Sequence, residues 1–441
     1  MKFFGTDGIR GVVGNEISPK TAFLIGYAVA KIFGRTGKNG HIIVGKDTRM
    51  SGDVLVSALS SGICFAGMDV LQVGVLPSAA ISFLTKKYAG IAGVMVTGSH
   101  NGPECNGFMI FDCQGFKIGE EAEREIEKFL RDEIEPKSSH FGQIFIEQRG
   151  RFDYLEFLKN AAYFDLSGLC VSLDLCHGAA CGVADKAFET NGAKVILHNE
   201  ASDGEQVNVK CGPQDISRFC GAVVRTGADV GFSFDADADR IVAVDEKGKV
   251  VDGDKILFLF ATFLAEETRL LKNTVVGTIL SSISLEHALA ERGIFLVRSC
   301  VGEQKIVSEL ERNGFVIGGE KAGKLILRDY LPSADGILVA LFVAKIMQVK
   351  DKKLSELVDA VKDLPQEQKN FIMDKNKKIR LESDPQFLSL LDRILQNEKK
   401  VRIVARASGT EDVFRVLVES NSANRTKRVM RKIEQFVLNF S

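Results

Sequence analysis

The sequence has neither an excess of charge of one sign nor a long hydrophobic run. Lys and Arg number 57 against 58 Asp and Glu, which leaves a net charge of -1 over 441 residues. Such a chain has no overall basic field to attract nucleic acid or an anionic membrane. No stretch reaches the roughly 20 apolar residues that cross a bilayer, and the opening MKFFGTDGIRG has no signal-peptide core. We therefore expect no nucleic-acid or membrane partner.

Paired cysteines are also missing. The nine Cys are scattered along the chain, and none of them forms a CxxC pair. Without an export signal, this distribution is typical of reduced thiols, and it predicts a cytoplasmic protein.

What the sequence does have is an alternation of short Val/Ile-rich runs with longer amphipathic stretches. Apolar runs such as 91–96, 230–234 and 274–279 suit strands that are buried on both faces. Stretches such as 120–131 and 303–313 have a helical pattern, and the alternation indicates an α/β fold. Polar breaks divide the chain into predicted domains 1–148, 149–249, 250–364 and 365–441. The first three are α/β domains with mixed sheets, and the last is a smaller α+β domain.

Each predicted domain has one strand that ends in a polar or glycine-rich loop. The four segments read VMVTGSHNG, VGFSFDADADR, FVIGGEKAGK and VRIVARASGTED. Ligands of α/β sheets bind beyond the carboxyl ends of strands, so four such loops around a central cleft would form one composite site.

The DADAD run is the sharpest chemical signal. Asp235, Asp237 and Asp239 alternate directly after an apolar strand, and carboxylates at this spacing can curl around one hard cation. A solvated acidic turn is the alternative, but three clustered carboxylates repel one another, and a cation would relieve that repulsion.

The other three loops are weaker signals on their own. Ser99 lies in a turn where a hydroxyl could carry a phosphoryl group, but an ordinary polar loop would read the same. The adjacent His100 is poorly placed to be its base. The loop after strand 401–405 offers hydroxyls, backbone N–H groups and Arg406 to a phosphate dianion. Glu320 in the third loop suits a carboxylate that binds hydroxyls, or a plain turn.

Taken together and in order, these loops resemble those of the α-D-phosphohexomutase family. Residues 97–102, TGSHNG, match its serine loop T/S-x-S-H-N-P, and residues 235–240, DADADR, match its metal loop D-G-D-A/G-D-R. Residues 319–324, GEKAGK, match its sugar loop G-E-x-S-G-H, and residues 406–411, RASGTE, match its phosphate loop R-x-S-G-T-E. The segments FGTDGIRG and GKDTRMSG resemble the branch that interconverts glucosamine 6-phosphate and glucosamine 1-phosphate.

This resemblance implies a role for each loop. Ser99 would be a phosphoserine, and one Mg²⁺ per chain would lie on Asp235, Asp237, Asp239 and the seryl phosphate of Ser99. Glu320 would bind sugar hydroxyls. Arg10 and Arg240 would lie near the transferred group, and we count His100 with them among the candidate catalytic residues. The resemblance places the following residues on the phosphate that does not react: Arg406, Ser408, Gly409, Thr410 and Arg415.

Two departures from the family pattern concern proton transfer. The family has Lys where Met109 stands and His where Lys324 stands. Since a thioether cannot move a proton, Lys324 becomes the candidate acid–base group, with a pKa lowered by desolvation or by nearby cations. The alternative is that Lys324 is a solvated loop lysine or a simple phosphate contact.

The resemblance leaves three functions open. They are an isomerase of glucosamine phosphates that supplies cell-wall amino sugars, a mutase of mannose or glucose phosphates, and a catalytically weak protein that binds sugar phosphates. All three predict small-molecule sugar phosphates as partners, with the chain acting as a monomer or a homodimer.

Overall fold

The computed structural model describes residues 3–5, 7–34, 40–132, 136–137, 139–398, 400–408 and 412–440. Its strands form four sheets that follow one another along the chain. Among the described residues, no helix combines the length and the apolar character needed to cross a membrane.

The first sheet has seven strands in the order β1-β2-β6-β5-β3-β4-β7. It is mixed, because β5 pairs parallel with β3 and antiparallel with β6. The strands are β1 Phe4–Gly5, β2 Gly8–Val12, β3 His41–Lys46, β4 Asp69–Val75, β5 Ala92–Val96, β6 Cys105–Asp112 and β7 Ile144–Ile146. The helices are α1 Pro19–Phe33, α2 Gly52–Phe65, α3 Ser78–Lys87 and α4 Glu120–Arg131. α1 begins where the Ser18 side chain accepts from Thr21 N and Pro19 occupies the first turn.

The second sheet has five strands in the order β12-β11-β10-β8-β9 and is also mixed. The strands are β8 Cys170–Asp174, β9 Lys194–His198, β10 Val230–Phe234, β11 Ile241–Asp245 and β12 Val250–Val251. The helices are α5 Gly150–Ala162, α6 Ala184–Thr190 and α7 Ser217–Thr226. All five residues of β10 are buried, as the apolar run 230–234 predicts.

The third sheet has four strands in the order β14-β13-β15-β16. The strands are β13 Thr274–Thr278, β14 Phe295–Ser299, β15 Ile317–Gly319 and β16 Leu325–Leu327. The helices are α8 Gly253–Glu266, α9 Ile283–Ala290, α10 Glu303–Asn313, α11 Gly336–Lys350 and α12 Leu354–Leu357. Eleven of the 15 residues of α11 are buried, because this apolar helix lies inside the molecule.

The fourth sheet has three antiparallel strands in the order β17-β19-β18. The strands are β17 Gln366–Ile372, β18 Val401–Ala407 and β19 Val413–Ser420. The helices are α13 Lys375–Glu382, α14 Pro385–Asn397 and α15 Ala423–Asn439. The predicted fold class, three mixed α/β domains followed by a smaller α+β domain, is confirmed.

The hydrophobic core does not follow the four sheets one to one. One continuous cluster runs from Ile43 on β3 through β8, β10 and α8 to Val361 after α12. The fourth sheet packs on a separate cluster, centred on Phe414 and Val418. The first three sheets therefore share one cluster, and the first sheet also packs on a second cluster, which includes Ile42 and Val94. The fourth sheet has a core of its own.

Candidate active site

Ser99 is held in a buried, strained turn beyond the end of β5. Its φ is +47°, a region that residues with a side chain seldom adopt. Its N–H donates to Thr97 Oγ1 at 2.8 Å. Its own hydroxyl donates to Asp235 Oδ2 at 2.9 Å. The turn thus points the hydroxyl directly at the carboxylates that follow β10.

The buried guanidinium of Arg49 holds this turn in place through hydrogen bonds. Arg49, between β3 and α2, pairs with Asp47 through Nε at 2.9 Å. Its Nη2 donates to Ser99 O at 2.7 Å and to Asn101 O at 2.8 Å. Its Nη1 donates to the carbonyls of Gly102 and Cys105. No role for Arg49 was predicted from the sequence, beyond its place in the segment GKDTRMSG.

The turn is also tied to the second sheet. Asn208 Nδ2 donates to the same two carbonyls, Ser99 O at 2.6 Å and Asn101 O at 2.8 Å. Asn208 lies in the loop between β9 and α7, far from any of the four sequence motifs. The position of Ser99 therefore depends on two domains at once.

The three aspartates of the DADAD loop converge as predicted. All three are buried, and one carboxylate oxygen from each lies within 4.8 Å of the others. Ser78 Oγ donates to Asp237 Oδ2 at 2.6 Å. Among the described residues, Asp237 Oδ1 and Asp239 Oδ1 are buried without a hydrogen-bond partner. Buried acceptors of this kind are costly unless something binds them.

The electrostatics of the cluster suit a hard cation. Burial and the charge of Asp239 raise the pKa of Asp235. Burial and the other two carboxylates raise the pKa of Asp237 well above its ordinary value. A divalent cation would reverse both shifts, and Mg²⁺ prefers oxygen ligands such as these. The residues present therefore fit the predicted magnesium site.

Cationic side chains surround the other side of Ser99. Arg240 lies 3.9 Å from Asp7 and 4.0 Å from Asp235. Three buried nitrogens near Ser99 have no hydrogen-bond partner among the residues that the structure describes, namely Arg10 Nη2, Arg240 Nε and His100 Nδ1. Burial, followed by the charges of Arg240 and Arg10, lowers the pKa of His100 to about 3. His100 is thus a neutral imidazole in a cationic pocket.

Lys324 contradicts the sequence-based expectation that its pKa is lowered. Its ammonium lies 2.7 Å from Asp239 Oδ2 and 2.9 Å from Asp7 Oδ1. Burial alone would lower the pKa, but Asp239, Asp7 and Glu303 outweigh it, and the pKa of Lys324 is raised above its usual value. The side chain is fully buried and held as a cation.

A second lysine, which sequence reasoning missed, lies beside the first. Lys117 Nζ is 3.3 Å from Asp7 and 3.8 Å from Asp239, and it also pairs with Glu303. Met109, by contrast, is 2% exposed and packs in the shared core. Lys117 thus brings an ammonium to the cleft from the segment after β6, although this chain has Met109 where the family has a lysine.

The third domain contributes the sugar loop, residues 319–324, to the site. Glu320 Oε1 accepts from Gly302 N at 3.0 Å. Burial raises the pKa of Glu320, against the opposing effect of Lys324. Gly323, with φ +96°, accepts through its carbonyl from Ile241 N on β11 at 3.0 Å. The loop is therefore hydrogen-bonded to the strand that follows the aspartates.

The phosphate loop is described in part. Arg406 on β18 is directly opposite Arg415 on β19, and Ser408 N donates to Val413 O at 2.9 Å. The predicted residues Gly409 and Thr410 lie outside the described residues.

Arg406 and Arg415 lie on the same face of the sheet as Arg402 and Glu419. Arg402 Nη2 donates to Ile279 O, and Glu419 Oε2 accepts from Ile283 N, so this face contacts the third domain. Two guanidiniums opposite each other repel, and an anion between them would relieve that repulsion.

The comparisons with known proteins agree with this arrangement of loops. Models of phosphoglucomutase/phosphomannomutase domains I, II and III match residues 1–137, 152–248 and 252–364, and the model of the C-terminal domain matches residues 348–435. The chain belongs to the α-D-phosphohexomutase family. The phosphohexomutases are isomerases that move a phosphoryl group. The exact domain limits at 148, 249 and 364 stay a prediction.

The similar curated phosphohexomutases include two phosphoglucosamine mutases. The one from Carboxydothermus hydrogenoformans is 39% identical over 98% of this chain and 98% of its own length. The one from Thermoanaerobacter sp. (strain X514) is 38% identical over 99% of this chain and 98% of its own.

Solved phosphohexomutases share the fold at lower identity. A phosphoglucomutase/phosphomannomutase family protein from Burkholderia thailandensis has a TM-score of 0.84 and 22% identity, covering 99% of this chain and 98% of that one. The N-acetylphosphoglucosamine mutase of Aspergillus fumigatus, solved with GlcNAc-6P and magnesium, has a TM-score of 0.70 and 17% identity, covering 99% and 95%.

Proposed function

We propose that this chain is a phosphoglucosamine mutase, which interconverts glucosamine 6-phosphate and glucosamine 1-phosphate through a phosphoserine at Ser99 and a bisphosphate intermediate. The observation that carries the proposal is the Ser99 hydroxyl, 2.9 Å from Asp235 in a buried cluster of carboxylates with unpartnered oxygens. Identity of 39% to a phosphoglucosamine mutase, over nearly the full length of both chains, supports the choice of substrate.

In this proposal the residues around Ser99 bind the group that is transferred. Asp235, Asp237 and Asp239 would hold one Mg²⁺ together with an oxygen of the phosphorylated Ser99. When bound, the ion neutralises charge on the phosphoryl oxygens. The buried nitrogens of Arg10 and Arg240 would donate to the same oxygens, as charge-assisted contacts that position the group for in-line transfer.

The two remaining loops would bind the sugar and its other phosphate. Glu320 would accept hydrogen bonds from sugar hydroxyls. The phosphate that does not react would lie between Arg406 and Arg415, with Ser408, Gly409 and Thr410 donating to it. This phosphate loop would accept either end of the bisphosphate. The intermediate can then turn round and return its second phosphate to Ser99.

Lys324 enters the proposal as a cation rather than as a proton carrier. With its ammonium held between Asp7 and Asp239, it offers a fixed positive charge beside the aspartates. The proton of the sugar hydroxyl would then pass to an oxygen of the phosphoryl group itself.

A coupled assay with purified protein tests the proposal. Glucosamine 6-phosphate, glucose 1-phosphate and mannose 1-phosphate are each supplied with Mg²⁺ and a catalytic amount of a hexose bisphosphate. We expect the highest kcat/KM with glucosamine 6-phosphate and none with Ser99→Ala protein. A preference for glucose or mannose phosphate would assign the chain to the other mutases. Binding of all three without turnover would identify a sugar-phosphate-binding protein.

A further inference from the structure

Two buried thiols of the second domain are in contact with each other, and the proposed function uses neither of them. Cys176 follows β8, and Cys211 lies in the loop between β9 and α7. Cys176 is 0% exposed and Cys211 is 4% exposed. Their sulfurs are 3.6 Å apart. A disulfide bond is about 2.05 Å long, so the two sulfurs need to approach by only roughly 1.5 Å to form one.

The backbone on both sides of the thiol pair is held by one carboxylate, Asp174. Cys176 has a φ of +54°, and its N–H donates to Asp174 Oδ1 at 3.2 Å. Gly212, next to Cys211, has a φ of +79°, and its N–H donates to Asp174 Oδ2 at 2.8 Å. A Cβ at Gly212 would lie 2.7 Å from Cys176 Sγ, so the close approach of the two thiols requires glycine there.

Cys176 also contacts Asn208, which holds the Ser99 turn. Cys176 Sγ donates to Asn208 Oδ1 at 2.9 Å. Because a thiol has one proton, Cys211 is the donor in the contact between the two sulfurs. The thiol that donates to Oδ1 orients the Asn208 amide, whose Nδ2 donates to Ser99 O and Asn101 O. A continuous chain of hydrogen bonds therefore joins the thiol pair to the turn that holds Ser99.

We propose that Cys176 and Cys211 are a redox-sensitive pair, which a hydroperoxide converts into a disulfide that displaces the Ser99 turn. With hydrogen peroxide, the sulfur of Cys211 bonds to one oxygen and the O–O bond breaks, which gives a sulfenic acid and one water. Cys176 then attacks this sulfur, the S–O bond breaks, and the disulfide forms as a second water leaves. The two thiols lose two electrons and two protons, and the peroxide takes them up.

The surroundings of the two thiols set the order of these steps. The hydrogen bond with Cys211 and burial raise the pKa of Cys176, so Cys176 is a poor nucleophile toward a peroxide in solution. Cys211 lies in a segment built from turns, residues 199–216, where local opening admits a small oxidant. Cys176 reacts second, when the oxidised sulfur is already in contact with it and proximity offsets its weak nucleophilicity.

The disulfide would reach Ser99 through Asn208 in two ways. Asn208 Oδ1 loses the thiol that donates to it, and Cys211, three positions after Asn208, is drawn toward Cys176 together with its segment. A shift of about 1 Å at a reacting group can cost on the order of a hundredfold in rate, so we expect oxidised protein to keep about one tenth or less of its kcat. The expected fall in kcat rests on the proposed function, whereas the disulfide and the displaced turn do not.

Peptide mapping and hydrogen exchange of peroxide-treated protein test the proposal without reference to turnover. Cys113 and Cys300 are exposed, so both are replaced by Ser in the protein used throughout. After treatment with hydrogen peroxide and alkylation of the remaining thiols, mass spectrometry should detect the disulfide between Cys176 and Cys211. Amide exchange in residues 97–102 should become about tenfold faster or more. Dithiothreitol should reverse both changes, and kcat in the coupled assay should fall and recover with them.

Two matched variants separate the disulfide from other effects of peroxide. Cys176→Ser keeps a donor for Asn208 Oδ1, Cys211→Ser keeps a hydroxyl at the second position, and neither can form the disulfide. After peroxide, both should keep slow exchange in residues 97–102 and their own kcat. Absence of the disulfide would overturn the proposal, as would a disulfide that leaves the exchange, or the kcat of an active protein, unchanged. Equal peroxide sensitivity of the two variants would overturn it too. Protein that shows the disulfide and the faster exchange but no mutase turnover would refute the proposed function alone.

Discussion

The hydrogen bonds from Arg49 to the Ser99 turn offer the most direct test of how the fold positions the reacting group. In Arg49→Lys protein the charge stays, but the five acceptors of the guanidinium (Asp47 Oδ2 and four backbone carbonyls) would face an ammonium with three donors. At least two buried acceptors lose this partner, at a cost of about 1–3 kcal/mol each when nothing replaces it. Asn208 still donates to two of the carbonyls, so we expect a loss of about 2–4 kcal/mol in unfolding free energy.

The same change should reach catalysis through the position of Ser99. A shift of the turn by about 1 Å can cost on the order of a hundredfold in rate, so kcat should fall far more than KM rises. Urea unfolding and the coupled assay measure the two effects. The matched control is Arg124→Lys, since Arg124 is 75% exposed and its ion pair with Glu120 should contribute less than about 1 kcal/mol. If Arg49→Lys changes stability by no more than this control and keeps wild-type kcat, the Ser99 turn does not depend on the hydrogen bonds of Arg49.

Three further predictions follow from single side chains. Asp237→Asn should abolish Mg²⁺ binding, measured by calorimetry on unphosphorylated protein, because one buried unpartnered oxygen is lost as a ligand; unchanged binding would place the ion elsewhere. Arg415→Ala should raise KM much more than it lowers kcat, with a loss of about 1.5–3 kcal/mol from one charge-assisted contact; an unaltered KM would remove Arg415 from the phosphate site. Burial raises the pKa of Asp335 from 3.8 to about 6. The folded protein therefore keeps a proton that the unfolded chain releases, and stability falls by up to about 3 kcal/mol as pH rises from roughly 4 to 6. Asp335→Asn retains the acceptor for Ile337 and Leu338 N–H and should remove this loss, which denaturation of both proteins at each end of the window would detect.

Most of the fold could be predicted from local sequence patterns. A five-residue apolar run is long enough for a strand and too short for a helix, so β10 was predicted at its observed bounds, Val230–Phe234. Helix α4 also has the predicted bounds, Glu120–Arg131, because its charged and apolar residues separate cleanly by helical period. The bounds of β15, Ile317–Gly319, are harder to predict, since its pairing with β13 is at Gly318 and glycines give no strand signal.

The partners of the site residues could not be predicted in this way. Arg49, Lys117 and Asn208 reach the site through tertiary contacts, and no spacing along the chain indicates that they meet Ser99 or Asp239. The raised pKa of Lys324 has the same origin, because Asp7 and Glu303 are 317 and 21 positions away along the chain.

The charged side chains around Lys324 determine whether its ammonium carries a proton during turnover or stays a fixed positive charge. Two ammoniums, Lys117 and Lys324, share three carboxylates from three different domains. Asp239 and Glu303 are buried, and the side chain of Asp7 is 12% exposed. Lys324→Met would leave these carboxylates with one ammonium, and removing one partner of a buried ion pair costs about 3–5 kcal/mol.

We therefore expect lower stability and a lower kcat at every pH, with no change in the shape of the pH–rate profile, since a group that stays charged contributes no limb to it. Lys117→Met serves as the matched variant, because it removes the other ammonium from the same carboxylates and should have the same two effects. If Lys324→Met alone eliminates the basic limb while Lys117→Met preserves it, Lys324 exchanges a proton during turnover. In that case the substrate or the bound ion must change the charge balance that now holds the ammonium.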